Sequence, residues 1–389
     1  MYTGQLVFSQ LMDFLPKHPF NSCVQHYRGN YRAREFSCFD QFLCMAFAQL
    51  TGRESLRDIE TCLRAMQPKL YHAGFRGRVS RSTLADANER RDWRIFADLA
   101  QVLIHTARAL YAGEDFGVEL EQTAYVLDST TIDLCLSLFP WAHFRRHKAA
   151  IKLHTLMDLR GSIPCSVHVT HGKTSDLKML DEIIPEPGAF YIMDRAYIDF
   201  ARLYALAQSL AYFVIRSKDK VIYTRVSRAR VDKSTGLRSD LTVRLTGPLS
   251  PQRYPAPLRC VRYFDAETGR RFIFLTNNFA LPALIVARLY RCRWQVELFF
   301  KWIKQHLRIK AFFGTSQNAV KTQVWIAISI YVLVAIIKKE LRIERRLSEI
   351  LQILSILLFE KVPMAQALTT TELQNLKVGC HNQLPLFDF

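Results

Sequence analysis

The sequence predicts an α/β fold: a mixed sheet covered by helices, with a helical domain before it and a β-rich insertion within it. Three observations predict this. The apolar period changes from helical to alternating near residue 122. The next hundred residues then read strand, strand, strand, helix, strand, helix, strand, an order that suits a mixed sheet with helices on its faces. Finally, a stretch rich in Ser, Thr, Gly, Pro, Arg and Lys breaks that alternation while keeping short β-like runs.

Residues 1–118 read as helical. Phe39–Leu50 is an apolar-rich helix, and Ser55–Met66 follows with Ser55 as N-cap and Asp58 three residues on. Pro68, Gly74 and Gly77 break the chain. The run from Arg76 to Asn88 then offers Ser80 or Ser82 to cap a long helix towards Tyr111. Two short helices, a basic turn and a capped helix suit a helix-turn-helix reader of DNA, or plain helical packing.

Residues 119–216 hold the first part of the sheet. Ala124–Asp128 is a short apolar strand ending in an acid. Ile151–Leu159 meets the turn Arg160-Gly161 and returns as Ile163–Thr170. Asp176–Ile184 is helical, Ala189–Asp194 is a second apolar strand ending in an acid, Phe200–Leu210 is helical, and Tyr212–Ile215 is a further strand. Residues 217–280 form the β-rich insertion, with strands expected at Leu241–Leu245, Leu258–Phe264 and Phe272–Thr276. A helix within 281–316 follows, then a helical C-terminal region over 317–389. Its apolar run Val324–Ile337 is fourteen residues long, too short to span a bilayer and suited to a buried helix. No membrane span is expected.

Lys and Arg number 53 against 35 Asp and Glu, a net charge of +18 spread along 389 residues. A balance this basic points to nucleic acid, because neutralising phosphates releases condensed counterions; an anionic membrane surface competes, but the charge is spread along the chain with no polybasic tail. The nine cysteines are scattered, without C-x-x-C pairs or zinc spacing, which suggests reduced thiols in a cytoplasmic protein. No G-x-S-x-G and no phosphate-loop motif occurs.

The most informative segment is Tyr290–Lys304, free of Gly and Pro and read as one helix. At 100° per residue, Tyr290, Arg293, Glu297, Lys304 and Arg308 fall within about 60° of one another, flanked by Trp294 and Lys301. Val296, Phe299, Phe300, Ile303 and Leu307 form the opposite, apolar stripe. Between Arg288 and Lys310 stand seven cations and one acid, Glu297. A solvated basic face is the plain reading; a surface built for solubility would mix signs. Asp128 and Asp194 end strands, where α/β proteins place hard-cation ligands. Asp133, Asp158, Asp176 and Asp199 compete. Asp133 lies an odd number of residues from Asp128, so a continuous strand would turn it to the other face. Asp176 is expected to cap a helix.

These residues resemble a known family. Tyr290-x2-Arg293-x3-Glu297-x6-Lys304 matches the Tyr-Arg-Glu-Lys motif of one large group of bacterial insertion-sequence transposases. Val126-Leu-Asp128-Ser-Thr and Tyr191-Ile-Met-Asp194-Arg look like that group's two catalytic aspartate regions, and Val7–Pro16 with Cys44–Glu60 looks like its leader domain. The resemblance implies an RNase H-like core acting as a DDE transposase, with Asp128, Asp194 and Glu297 holding two Mg²⁺, replaceable by Mn²⁺. It implies DNA contacts by Tyr290, Arg293, Trp294, Lys301, Lys304 and Arg308 near the transposon end. Double-stranded DNA is the implied partner, a homodimer on DNA the implied assembly, and the bacterial cytoplasm at the nucleoid the implied location. Rival readings are a DNA-binding regulator without catalysis and a nuclease that hydrolyses without joining. Some relatives stack a flipped base on a tryptophan in the insertion. This chain has none between Trp141 and Trp294, leaving Tyr223, Tyr254, Tyr263 or Phe264 as platforms.

Overall fold

The computed structural model describes residues 4–146, 148–218, 221–307 and 312–369. Before the first strand run helices α1 (Val7–Asp13), α2 (Lys17–His26), α3 (Cys38–Thr51), α4 (Leu56–Ala65), α5 (Gln67–Leu70), α6 (Arg81–Arg90) and α7 (Arg94–Tyr111). The expected caps form: Ser55 Oγ accepts from Asp58 N at 3.1 Å, and Ser80 Oγ from Thr83 N at 3.2 Å. The helix expected to run on to Tyr111 is instead two helices. Arg91 adopts an extended backbone, and its guanidinium donates to the Phe36 carbonyl, to Ser37 O at 2.8 Å and to Gln41 Oε1 at 3.1 Å. Asp92 then accepts from Arg94 N at 2.9 Å and starts α7 afresh.

The strands are β1 (Ala124–Leu134), β2 (His143–Arg145), β3 (Lys148–Asp158), β4 (Ile163–His171), β5 (Phe190–Met193), β6 (Tyr212–Arg216), β7 (Tyr223–Ala229), β8 (Leu237–Leu245), β9 (Leu258–Asp265) and β10 (Arg270–Thr276). β1 pairs antiparallel with β3 and β3 with β4, whereas β5 runs parallel to β1 and β6 parallel to β5. This mixed arrangement, in the order β4-β3-β1-β5-β6, is the one expected of an RNase H-like core. The short α8 (Met179–Glu182) and the longer α9 (Phe200–Gln208) lie in the connections to β5 and β6. Gly161 takes φ 72° in the β3–β4 turn, and a Cβ there would meet Tyr111 Cδ1 at 2.2 Å, so only glycine fits.

The insertion does not stand apart from this sheet. β10 pairs with the outer edge of β6, and the order continues β10-β9-β8-β7. An edge at β6 would leave a row of unpaired backbone groups, which β10 satisfies. β7 escaped the sequence reading because its residues are polar on both faces and exposed. The small α10 (Ser250–Arg253) links β8 to β9.

The rest of the chain comprises α11 (Ala283–Arg291), α12 (Trp294–Leu307), α13 (Gln317–Glu340), α14 (Leu347–Leu357) and α15 (Met364–Thr369). Helix α13 is long and apolar enough to cross a membrane, but 94% of its most apolar window is buried inside the protein. It packs on α3, α6, α7, α12 and α14. Tyr111 Oη donates to Ala335 O at 2.9 Å and Tyr331 Oη to Ser162 O at 3.1 Å, tying α13 to α7 and to the β3–β4 turn. Ser162 Oγ donates in turn to Gln295 Oε1 at 2.9 Å, which locates α12 against the sheet.

The insertion is fastened by a buried ion pair. Arg259 on β9 donates to both Asp240 oxygens on β8, at 2.9 and 2.7 Å, and both side chains are about one-tenth exposed. Replacing Arg259 by Leu should destabilise the protein by about 3–5 kcal/mol, because Asp240 is left as an uncompensated buried charge. Urea denaturation checks this, and replacing both partners by apolar residues should restore part of the loss.

Candidate active site

The register of the sheet builds the site. Along the parallel pair, Leu127 lies beside Met193, so the next residues, Asp128 and Asp194, stand side by side as the strands diverge. Alternation along β1 sends Val126 and Ile132 to the core shared with α12 and α13, and Asp128 to the same side. Asp133 points the other way and is exposed. Asp128 Oδ1 accepts from Ser129 N at 2.8 Å, and Asp194 Oδ1 accepts from Ala196 N at 2.5 Å as the cap of a short 3₁₀ turn.

Glu297 comes to this place on α12, whose apolar stripe is anchored as its spacing demands. Val296, Phe299, Phe300 and Ile303 are all buried, each stabilising the helix position by roughly 1.5–3 kcal/mol. The single helix expected over Tyr290–Lys304 is however two, parted by a tight turn at Cys292-Arg293. There the backbone bonds shorten to i→i−3, from Arg293 N to Tyr290 O and from Val296 N to Arg293 O. No Gly or Pro marks this turn. It coincides with the pinning of Arg293, whose Nη1 donates to Asp128 Oδ2 at 2.6 Å and whose Nη2 donates to Glu297 Oε1 at 2.5 Å.

The remaining expected contacts divide. Lys301 and Lys304 line an open cleft of about 530 Å³ with Asp128, Ser129, Thr130, Glu297 and Phe300. Trp294 is half exposed. Tyr290 is not on the surface. The altered helix path turns it into the core, its ring 4.7 Å from that of Phe274 and beneath the Arg293 guanidinium at 5.9 Å. Arg308 lies outside the described residues. Tyr254 is buried against Tyr204 and Phe213, which removes it as a stacking platform, while Tyr223, Tyr263 and Phe264 stay partly exposed.

Asp176 does not cap a helix as expected; Ser175 occupies that position. Its carboxylate instead accepts from Ser129 Oγ at 2.6 Å and Lys152 Nζ at 3.3 Å, with His154 Nδ1 at 3.4 Å. This cluster backs Ser129 from the face of the sheet opposite Asp128. The only trace in the sequence is the polar alternation of Lys152 and His154 on β3. Burial alone would raise the Asp176 carboxyl, but the bonds from His154, Ser129 and Lys152 outweigh it and bring it to about 2.

Asp128 goes the other way. Burial pushes its carboxyl up to about 6, with Asp194 and Glu297 adding to the rise, against the pull of Arg293 and the Ser129 amide. Crowded carboxylates that resist ionisation are a donor set of hard oxygens calling for positive charge. Among the described residues no three His, Cys, Asp or Glu side chains form a ready metal cage; Arg293 bridges two of the acids.

A pH dependence of stability follows. The folded carboxyl titrates near 6 and the unfolded one near 3.8, so between these values the folded state holds the extra proton. Stability from Asp128 is therefore lost as pH rises from 4 to 6, by an amount on the order of 3 kcal/mol. Asp128→Asn should lack this loss. Urea midpoints of both proteins in chelator, at pH 4 and 6.5, check it.

Comparison with known proteins gives the family. The transposase DDE domain matches residues 119–333, more than half of the chain, and a domain of unknown function (DUF4372) matches residues 3–76. The chain is similar to the transposase y4zB of Sinorhizobium fredii, 33% identical over 289 residues, which cover 72% of this chain and 78% of that protein. It is 34% identical over 212 residues to a transposase for insertion sequence element IS5377 of Geobacillus stearothermophilus, covering 54% and 55% of the two chains. Among solved structures, a piggyBac transposase synaptic complex with hairpin DNA aligns with 96% of this chain and 83% of its own, at TM-score 0.44 and 10% identity. The matched span holds the neighbouring strands that carry Asp128 and Asp194 as well as Glu297 on α12, and the chain belongs to the transposase family with the DDE domain.

Proposed function

We propose that this transposase cuts DNA at the ends of its own insertion element and joins the freed 3′-OH to target DNA. The observation that carries the reading is the bridging of Asp128 and Glu297 by one guanidinium, with Asp194 beside Asp128 on the neighbouring parallel strand. The three carboxylates would hold two divalent cations, Mg²⁺ or Mn²⁺ in its place. Bound there, the cations would activate the attacking oxygen and stabilise the leaving one. In cleavage, water attacks phosphorus and the P–O3′ bond breaks, leaving a 3′-OH and a 5′-phosphate. In joining, that 3′-OH attacks a target phosphate and displaces a second 3′-oxygen, so no covalent link to the protein is needed.

The chain's own residues bind and orient. Lys301 and Lys304, facing Asp128 across the cleft, hold phosphate oxygens; Trp294 offers its exposed ring to the same DNA. Arg293, supported by Tyr290 beneath it, keeps the acids together until the cations and DNA arrive. Residues 1–118 would bind the element ends, with Arg76, Arg78 and Arg81 exposed around the start of α6. A homodimer on paired ends, in the cytoplasm at the nucleoid, completes the proposal.

Asp128→Asn, Asp194→Asn and Glu297→Gln should each lower Mg²⁺-dependent end cleavage by at least about a hundredfold, the scale set by losing one preorganised electrostatic contact. Binding to an end fragment should persist. Cleavage assays beside gel-shift binding check this, and full cleavage by any variant removes that residue from the site. End binding by wild type without nicking would favour a regulator. Nicking without products in a plasmid-integration assay would favour a nuclease.

A further inference from the structure

β7 forms the far edge of the sheet, and every residue from Thr224 to Ala229 is exposed. Its pairing with β8 slips at Val226: Arg225 stands opposite Val243, yet Ser227 stands opposite Thr242. Val226 is the extra residue of a β-bulge. Without the bulge, Arg225 and Arg228 would point to opposite faces, being three residues apart. With it, Arg228 stands opposite Leu241, so both arginines share one face with Tyr223. The Tyr223 hydroxyl accepts from Arg262 Nη2 at 2.9 Å, which brings a third cation to that face. None of these three arginines forms an ion pair among the described residues.

The sheet registers also settle where this face ends. β6 and β10, β10 and β9, β9 and β8, and β8 and β7 all pair antiparallel. The end of β7 carrying Arg228 therefore lies at the same end of the sheet as Asp128 and Asp194. Bulges and charges guard a sheet edge against pairing with another chain, but guarding does not require both arginines on one face.

We propose that the bulged edge strand is a grip for the phosphate backbone of duplex DNA outside the acid cleft, made by Arg225, Arg228 and Arg262. The proposal rests on the DNA-cutting function above. From β5 to β7 the sheet order crosses five strand spacings, roughly 24 Å at about 4.8 Å each. At about 3.4 Å per base pair this is about seven base pairs from the phosphate in the cleft.

The test uses the full chain and a DNA fragment bearing the element end. Arg225→Gln/Arg228→Gln should reduce the slope of log Kd against log salt by about two, one for each lost phosphate contact. It should weaken end and unrelated DNA alike. Phosphate-ethylation interference about seven base pairs from the cut should disappear, and Arg225→Lys/Arg228→Lys should keep both signals. A folded glutamine variant, verified by circular dichroism, with unchanged slope and unchanged interference overturns the grip. So does a variant changed only in self-association, which would make the arginines an edge guard. Failure of the wild type to bind or cut DNA strikes the function instead, and is read separately in the same assays.

Discussion

Three carboxylates cannot share a half-buried pocket without positive charge between them. In this protein the charge is the Arg293 guanidinium, set between Asp128 and Glu297, while Asp194 stands next to Asp128 on the parallel strand. Much of the surrounding structure follows from that need. The turn at Cys292-Arg293 lets the arginine reach Asp128, and Tyr290 goes inward to floor it. The apolar stripe of α12 then holds Glu297 on the other side. Burial raises Asp128, whereas for Arg293 the neighbouring acids outweigh burial and hold the guanidinium charged. The bridge is thus favourable for its cation and reluctant for one of its anions, a state that a divalent ion would relieve.

The sheet supplies the other half of the arrangement. Asp128 and Asp194 belong to strands paired in parallel, so their adjacency depends on register and not on any contact between them. The Asp176 cluster reinforces it from behind. Ser129 gives its backbone amide to Asp128 and its hydroxyl to Asp176, joining the two faces at one residue.

How much of this was legible in the sequence depended on the range of the signal. The strand-end aspartates and the helix stripe were readable because period-2 and period-3.6 patterns are local. Glu297 was readable because it is one acid among seven cations. The turn at Arg293 was hidden, since the partner that Arg293 reaches there lies 165 positions away. Tyr290 leaves the basic face with it, because only an unbroken helix keeps Tyr290 on the same side as Glu297. The pairing of β10 with β6 and the clamp on Asp176 were hidden for the same reason: long-range pairing leaves no mark on neighbouring residues. The break at Arg91 was likewise set by carbonyls more than fifty positions earlier.

Helix α13 has a consequence for how the chain matures. Its largely apolar surface is covered by helices from both sides of the sheet region in the sequence, and α3 and α7 in turn rest on it. As the chain leaves the ribosome, the N-terminal helices therefore wait through more than two hundred residues before their central partner exists. Until then they and the finished part of the sheet present oily, unfilled surface. The order of synthesis runs against the order of packing, and a chain ended early, before residue 317, lacks the one element around which its own beginning was shaped.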